Sequence, residues 1–168
     1  MDNQYNCIVM GAAGRDFHVF LSFLKGNETF RVKAFTATQI PEIAGRRYPP
    51  SLAGEGYPQG IPIMDEAGLE ALCRERQVDE VVFAYSDVGH AWVMHRASIA
   101  LAAGADFVLL GPKRTMLKAH VPVIATSAVR TGCGKSQTTR WLSRLLNRHG
   151  LKAAVIRHPM PYGDLARQ

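Results

Sequence analysis

The chain has 168 residues, of which 47% are hydrophobic and 20% are charged, and this composition excludes a disordered or low-complexity protein. Its net charge of +6 would suit a nucleic-acid partner, but the basic residues are scattered and no aromatic residues interleave with them. We therefore expect no nucleic-acid partner. The excess positive charge is assigned to the surface and to pockets for small phosphorylated anions.

The cysteines and the amino terminus argue against a secreted or membrane protein. Three cysteines without a CxxC pair predict neither a disulfide framework nor a zinc site. The first residues lack both a basic segment and an apolar run long enough for a signal peptide or a membrane span. We expect a cytoplasmic protein that binds no membrane.

Short apolar runs alternate with amphipathic runs of helical length along the chain. In chain order the pattern predicts strands at residues 6–10, 30–38, 61–64, 78–85, 105–111, 121–129 and 152–158. It predicts helices at residues 16–25, 65–77, 87–104 and 137–149, with a short helix or turn at 112–120. The segment 39–60 is rich in Pro and Gly and is predicted to be a long loop.

This alternation predicts an α/β fold with a doubly wound parallel sheet. We place a domain boundary near residues 118–121, because a new strand, glycine loop and helix begin there. Residues 1–119 are predicted to form a Rossmann-like ligand-binding domain. Residues 120–168 are predicted to form the first strand, P-loop, helix and strand of a nucleotide-binding P-loop NTPase domain.

The second glycine loop, VRTGCGKS at residues 129–136, resembles the phosphate-binding pattern GxxxxGK followed by Ser or Thr. Val129 stands where the first glycine is expected, whereas Gly134, Lys135 and Ser136 match. Gly132 and Gly134 allow the backbone N–H groups to turn around a phosphate, and the following helix points its amino terminus at the same anion. Lys135 would reach the outer phosphates of ATP or GTP, and the Ser136 hydroxyl would bind Mg²⁺.

Three neighbours complete this predicted nucleotide site. Arg130 would add a second positive charge against the phosphates. Cys133, expected as a small filler between glycines, and Gln137, at the start of the helix, are counted with the nucleotide-binding residues. The alternative is a plain strand–helix turn with a chance Lys-Ser pair.

The first glycine loop, at residues 11–17, resembles a dinucleotide-binding turn. Gly11 and Gly14 fit the pattern, but Phe17 replaces the third glycine and no acidic residue for a ribose hydroxyl ends the second strand. The loop therefore predicts the fold better than it predicts NAD binding, which argues against an oxidoreductase. Arg15 beside the loop is either a phosphate ligand or a solvated side chain.

Arg46 and Arg47 form a second candidate anion site, in the long loop. Paired guanidinium groups suit bidentate capture of phosphate or carboxylate, and the alternative is a solvated charged loop. We expect both arginines to face one cleft together with Gly11, Gly14 and Arg15. This cleft would lie at the carboxyl ends of the strands, where open parallel sheets bind ligands.

Several stretches of the chain together resemble one enzyme family: GAAGRDFHVF, FTATQIPEIAGRRYPPSLAG, VVFAYSDVGH, GADFVLLGPKRTML and AVRTGCGKSQTTR with the later RHPMPYGDL. They look like cyclic 2,3-diphosphoglycerate synthetase and its bacterial relatives, which are often labelled GTPases. The resemblance implies a Rossmann-like domain followed by a P-loop domain. It also implies ATP-dependent closure of an intramolecular phosphoanhydride in the presence of Mg²⁺.

The resemblance further implies roles for the candidate residues. Three groups would hold the nucleotide and carry phosphoryl transfer: Lys135, Arg130, and Mg²⁺ on Ser136. Three arginines would hold the phosphates of 2,3-diphosphoglycerate or a related anion: Arg15, Arg46 and Arg47. The true acceptor and the choice between ATP and GTP stay open. The alternative to an enzyme is a non-catalytic Rossmann-like module that binds a nucleotide or a phosphorylated small molecule.

Members of this family are much longer than 168 residues. We therefore expect the P-loop domain to be truncated, and the chain alone to bind nucleotide weakly and to lack turnover. Apolar strands left uncovered would favour a homo-oligomer. Asp164, after the last predicted strand, is either a Mg²⁺ or water contact or a turn residue.

Overall fold

The computed structural model describes residues 4–11, 14–38, 45–86, 88–129 and 132–156, and every structural statement below refers to these. The described chain divides into two compact units, one up to Leu117 and one from Lys118 to Ile156. The boundary placed from the sequence, at residues 118–121, lies at the start of the second unit.

The first unit is built on a six-stranded sheet with the order β3-β4-β2-β1-β5-β6. Its strands are β1 (Tyr5–Met10), β2 (Phe30–Ala37), β3 (Arg47–Tyr48), β4 (Ile61–Asp65), β5 (Glu80–Phe83) and β6 (Asp106–Leu109). All neighbouring strands pair in parallel except β3, which pairs antiparallel with β4 at the edge. The chain moves outward from β1 to β4 and then crosses to β5 on the other side of β1. This order confirms the predicted Rossmann-like parallel sheet.

Short helices connect the strands. They are α1 (Arg15–Val19), which continues as a π-helical turn over Phe20–Leu24, α2 (Pro50–Ala53), α3 (Leu69–Glu75), α4 (His90–Ala102) and α5 (Pro112–Thr115). A 3₁₀ turn, Glu66–Gly68, leads into α3. In the second unit one helix, α6 (Lys135–Arg148), follows the second glycine loop.

Both faces of the sheet are covered, as β1 shows. Cys7 and Val9 pack into the core on the side of α1, whereas Ile8 and Met10 pack on the side of α3 and α4. All four side chains are fully buried. Parallel strands that are covered on both faces read as continuous apolar runs, which explains why β1 was recognisable in the sequence.

The predicted long loop at 39–60 contains more structure than its composition indicates, because β3 and α2 lie within it. The turn that joins α2 to β4 depends on Gly60, which has a φ of +68°. A Cβ at this position would lie 2.2 Å from the Tyr48 carbonyl oxygen, so only glycine allows β3 to approach β4 here. Tyr48 itself is buried against the ring of Phe17, 4.7 Å away between centroids.

The second unit differs from the prediction. Residues 121–128 and 151–156 form no strand within the described part of the unit, although the sequence predicted strands at 121–129 and 152–158. A strand is stable only when a neighbour satisfies its backbone groups, and no ladder is recorded between these two segments. Apolar side chains such as Val123, Ile124 and Ile156 are exposed as a result.

Candidate functional site

The first glycine turn lies at the carboxyl end of β1. The Gly11 N–H donates to the Thr36 carbonyl of β2, 2.9 Å away, and Gly11 adopts a φ of +122°. The Asp16 carboxylate fills the inside of the turn. It is 2% exposed, its Oδ1 accepts the Gly14 N–H, and its Oδ2 lies 3.1 Å from the position of a Cβ on Gly11. A carboxylate of the protein therefore accepts the hydrogen bond of an amide in the turn where the sequence predicted ligand binding.

A second carboxylate, Glu66, is fully buried directly after β4. Its Oε2 accepts hydrogen bonds from the Tyr85 hydroxyl at 2.6 Å and from the Thr36 hydroxyl at 3.3 Å. Its Oε1 lies 3.1 Å from Arg96 Nε on α4, and this contact is an ion pair without hydrogen-bond geometry. Burial raises the pKa of Glu66, and the hydrogen bond from Tyr85 and the charge of Arg96 only partly oppose the increase.

A chain of hydroxyl groups leads from Glu66 to the surface. The Tyr85 hydroxyl lies 3.2 Å from the Thr38 hydroxyl, and Thr38 is exposed whereas Tyr85 is half-buried. We call Thr38, Tyr85 and Glu66 the hydroxyl relay. Thr38 follows β2 and Tyr85 follows β5, and β1 lies between these two strands. The relay therefore spans the carboxyl end of β1, where the strand order reverses and open α/β sheets bind ligands.

The charges that act on the relay are mainly negative. Burial raises the pKa of Tyr85 well above its usual range. The hydrogen bond to Glu66, and the negative charges of Glu66 and Asp16, raise it further. The phenol of Tyr85 is therefore protonated at neutral pH, and its single proton is directed at Glu66.

The three arginines predicted to hold phosphates are not brought together. Arg47 donates to the carbonyls of Gln59 at 2.6 Å and Gly60 at 3.0 Å, which precede β4. Its guanidinium group thus lies at the amino end of β4, and the prediction that Arg47 faces the cleft beside Gly11 is wrong. The physical reason is register, because the antiparallel pairing of β3 places Arg47 opposite Pro62 near the start of β4.

Of the other two predicted arginines, Arg15 follows β1 at the carboxyl edge of the sheet, whereas Arg46 lies beside the middle of β4. The Arg46 side chain is half-buried, and its carbonyl accepts the Ile63 N–H at 2.9 Å, one step further along β4 than Arg47. Arg15 is exposed and opens α1 directly after Gly14.

The second glycine loop has the backbone of a phosphate-binding turn in its described part. Gly132 and Gly134 adopt φ values of +84° and +85°, and Gly134 caps α6. Lys135 and Ser136 form the first turn of α6 and are exposed, as are Cys133 and Gln137. Arg130 and Asp164 lie outside the described residues. The helix begins two residues earlier than predicted because the left-handed Gly134 already ends the loop.

The sequence did not reveal the buried carboxylates of the first unit. Asp16 and Glu66 read as acids at helix starts, where the helix dipole favours them, and nothing in their spacing revealed burial. Tyr85 read as the last residue of a strand and Arg96 as a helix residue. The usable signal was the position of Glu66 directly after one apolar strand and of Tyr85 two residues after another.

The described residues offer neither a metal-binding cluster nor a membrane-spanning helix. Within the described ranges, no group of three or more His, Cys, Asp or Glu side chains could hold a metal ion. No helix in the same part of the chain is both long and apolar enough to cross a bilayer.

Comparisons with known proteins give two relatives by sequence. The chain is 62% identical over 161 residues to arginine synthetase ArcE of Thermococcus kodakarensis, which covers 96% of this chain and 36% of that protein. It is 35% identical over 114 residues to cyclic 2,3-diphosphoglycerate synthetase of Rubrobacter xylanophilus, covering 61% of this chain and 26% of that protein. No protein-family model matches.

A solved structure, that of RSP, a Rex-family repressor, matches the fold with a TM-score of 0.50 and 16% identity. The match covers 88% of this chain and 62% of that chain, and at this identity it shows the Rossmann-like fold alone. The two sequence relatives are both synthetases, and the predicted relation to this group of enzymes is supported. The predicted name, cyclic 2,3-diphosphoglycerate synthetase, is not supported, because arginine synthetase is the more similar of the two relatives. The chain spans about a third of the length of arginine synthetase.

Proposed function

We propose that the chain is part of a nucleotide-dependent synthetase, in which the second glycine loop holds ATP or GTP and the first unit holds a small substrate. The observation that carries this proposal is the pair of left-handed glycines, Gly132 and Gly134, ahead of α6. Synthetases form a new bond at the expense of a nucleoside triphosphate, and both sequence relatives bear that name. Enzymes of this kind need a triphosphate loop and a second pocket.

The described residues of the loop fit a triphosphate. Apart from its neighbours in the chain, no heavy atom of the described residues lies within 4 Å of a Cβ position on Gly132, which leaves room for a phosphate beside the backbone. The amino terminus of α6, a helix of 14 residues, favours an anion there. Lys135 would neutralise the outer phosphates, and the Ser136 hydroxyl would hold Mg²⁺. The metal ion, when bound, would neutralise charge that develops on the phosphates.

The substrate of the first unit is proposed to belong to an arginine-forming reaction. The identity to arginine synthetase is 62% over nearly the whole chain, against 35% over part of it for the diphosphoglycerate enzyme. The site geometry agrees, because Asp16 and Glu66 are buried carboxylates at the carboxyl edge and Arg47 is held at the opposite edge. A cyclisation of 2,3-diphosphoglycerate is the second candidate, supported by the resemblance and by the exposed Arg15.

Nucleotide binding tests the proposal. Isothermal titration of the purified chain with MgATP and with MgGTP should give saturable binding, with a dissociation constant on the order of 1 mM. Lys135→Ala should abolish it, because the outer phosphates lose their cation. Lys152→Ala, which removes an exposed lysine of the same unit, is the matched control and should leave binding unchanged.

Cys133 offers an independent readout in the same loop. It is exposed, whereas Cys7 and Cys73 are buried and burial raises their pKa values to about 12 and about 11. A thiol reagent should therefore modify Cys133 first, and MgATP should slow that modification. Saturable binding that Lys135→Ala leaves intact, or modification of Cys133 that no nucleotide slows, would contradict the proposal. Such a chain would fit the alternative of a non-catalytic module.

A further inference from the structure

We propose that the hydroxyl relay, Thr38, Tyr85 and Glu66, recognises a nitrogen-bearing cationic group of the small substrate, either a guanidinium or a primary ammonium. This inference rests on the proposed synthetase function and names the chemistry of its second pocket. It assigns Tyr85 and Thr38 as contact residues. Glu66 is a positioning residue that acts through Tyr85.

The first argument is the direction of the protons. Glu66 Oε2 lies 2.6 Å from the Tyr85 oxygen and can only accept, so the single proton of Tyr85 points inward. The outer face of the Tyr85 oxygen then offers lone pairs. The Thr38 hydroxyl, 3.2 Å away, can donate to Tyr85 and accept from a ligand in turn. The exposed end of the relay is therefore an acceptor, which matches N–H donors.

The second argument is burial and charge. Glu66 is fully buried, and its Oε1 has no hydrogen-bond donor in the described structure although Arg96 lies beside it. A buried carboxylate keeps a negative potential at the Tyr85 oxygen because little water screens it. Asp16 is also buried and adds a second negative charge that acts on Tyr85. A polyanion such as a bisphosphate would be repelled from this end of the relay, whereas a cation would be attracted.

The third argument is position. Thr38 and Tyr85 lie on either side of β1 and meet above its carboxyl end, beside Gly11. Gly11 is buried and packs directly against Asp16. Ligands of open parallel sheets lie at this edge, where the strand order reverses. The relay is the polar part of that edge, and its inner members are held by the packing of β2, β4 and β5.

The test compares small ligands that share size but differ in charge. The purified chain is titrated with L-arginine, with hexanoate, which has a carboxylate and an aliphatic chain but no cationic nitrogen, and with 2,3-diphosphoglycerate. We expect saturable binding of L-arginine and none of the other two. Tyr85→Phe and Thr38→Val each remove one hydroxyl and should each weaken L-arginine binding about tenfold, as expected for hydrogen bonds to a charged group. Thr38 is exposed, so its replacement leaves the core intact.

Tyr57→Phe is the matched control. The Tyr57 hydroxyl accepts the Val32 N–H at 2.9 Å, in the core on the side of α1, so its loss removes a tyrosine hydroxyl away from the relay. It should leave L-arginine binding unchanged. The role of Glu66 is read separately by ¹³C NMR of the tyrosine Cζ atoms. In Glu66→Gln the Tyr85 phenol should titrate at lower pH than in the parent chain, because the nearby charge is gone.

Several outcomes would overturn the relay. These are the absence of L-arginine binding, L-arginine binding by Tyr85→Phe and Thr38→Val that is as tight as in the parent chain, binding of 2,3-diphosphoglycerate that Tyr85→Phe removes, or an unchanged Tyr85 titration in Glu66→Gln. Nucleotide binding separates this inference from the proposed function. If the chain binds MgATP through Lys135 but binds no L-arginine, the relay inference fails and the synthetase proposal stands. If the chain binds L-arginine through Tyr85 but binds no nucleotide, the synthetase proposal fails and the relay inference stands.

Discussion

Arg96 Nε lies 3.1 Å from Glu66 Oε1, and this ion pair joins α4 to the end of β4 across the face of the sheet. Glu66 is fully buried, while the Arg96 side chain keeps 20% of its surface exposed and stacks 4.9 Å from the Trp92 ring centre. The pair therefore offsets part of the cost of burying the Glu66 charge, while that charge still acts on Tyr85. Because Glu66 also belongs to the hydroxyl relay, this ion pair affects both the stability of the fold and the electrostatic potential at Tyr85.

Removal of Arg96 should destabilise the first unit strongly. In Arg96→Met the apolar contact with Trp92 is largely kept, but the Glu66 charge is left buried without its cation. We expect a loss of about 3 kcal/mol in the free energy of unfolding, at the lower end for a broken buried pair because Arg96 is partly exposed. Urea unfolding followed by tryptophan fluorescence measures it. A loss below about 1 kcal/mol would show that the pair contributes little.

The stability difference between Glu66→Gln and the parent chain should depend on pH. Burial raises the pKa of Glu66 in the folded chain above its usual 4.5, so the folded state holds the proton more tightly than the unfolded state. The stabilisation from that proton is present below pH 4.5 and is lost as pH rises through the folded pKa. Glu66→Gln has no proton to lose at this position. As pH rises, its free energy of unfolding should therefore increase relative to that of the parent, by about 1.4 kcal/mol for each unit by which folding raises the pKa of Glu66.

Urea unfolding of both chains at about five pH values between pH 4 and pH 8 measures this difference in the free energy of unfolding. A difference that is flat with pH, or that favours the parent more as pH rises, would contradict the raised pKa of Glu66.

Arg47 should matter for stability and not for ligand binding. Its two hydrogen bonds to the carbonyls of Gln59 and Gly60 hold the turn before β4. Arg47→Ala should lower the free energy of unfolding by about 1–2 kcal/mol, since bonds to a charged group are lost at an exposed position. Binding of L-arginine should not change. Glu70→Ala, which breaks an exposed pair with Arg74, is the control and should cost less than about 0.5 kcal/mol. Loss of ligand binding in Arg47→Ala would restore the original prediction for this residue.

Gly60 should tolerate no side chain. In Gly60→Ala the new Cβ would lie 2.2 Å from the Tyr48 carbonyl oxygen, so β3 and β4 must move apart and we expect a loss of about 3 kcal/mol or more. Gly26 has a similar φ of +74° but open space around it, and Gly26→Ala should cost only about 1 kcal/mol from backbone strain. Trp92 fluorescence in a Trp141→Phe background reports unfolding of the first unit alone. Equal losses for the two variants would rule out the steric argument.

The sequence predicted the parallel sheet because its central strands are continuous apolar runs between glycine turns. It failed for side chains whose role depends on register. Arg47 read as an anion ligand, yet the pairing of β3 with β4 turns it to the other end of the strand. It also failed for Glu66, since an acid at a helix start has the same local pattern whether it is buried or solvated. Residues 123–128 have strand composition, but composition supplies no partner strand.

The central claim is that two separate loops bind two kinds of ligand, a triphosphate at Lys135 and a nitrogen-bearing cation at Tyr85. The most direct measurement is a crossed titration of Lys135→Ala and Tyr85→Phe, each with MgATP and with L-arginine. We predict that Lys135→Ala loses MgATP and keeps L-arginine, and that Tyr85→Phe weakens L-arginine about tenfold and keeps MgATP. Loss of both ligands in one variant, or of neither ligand in both variants, would contradict the account.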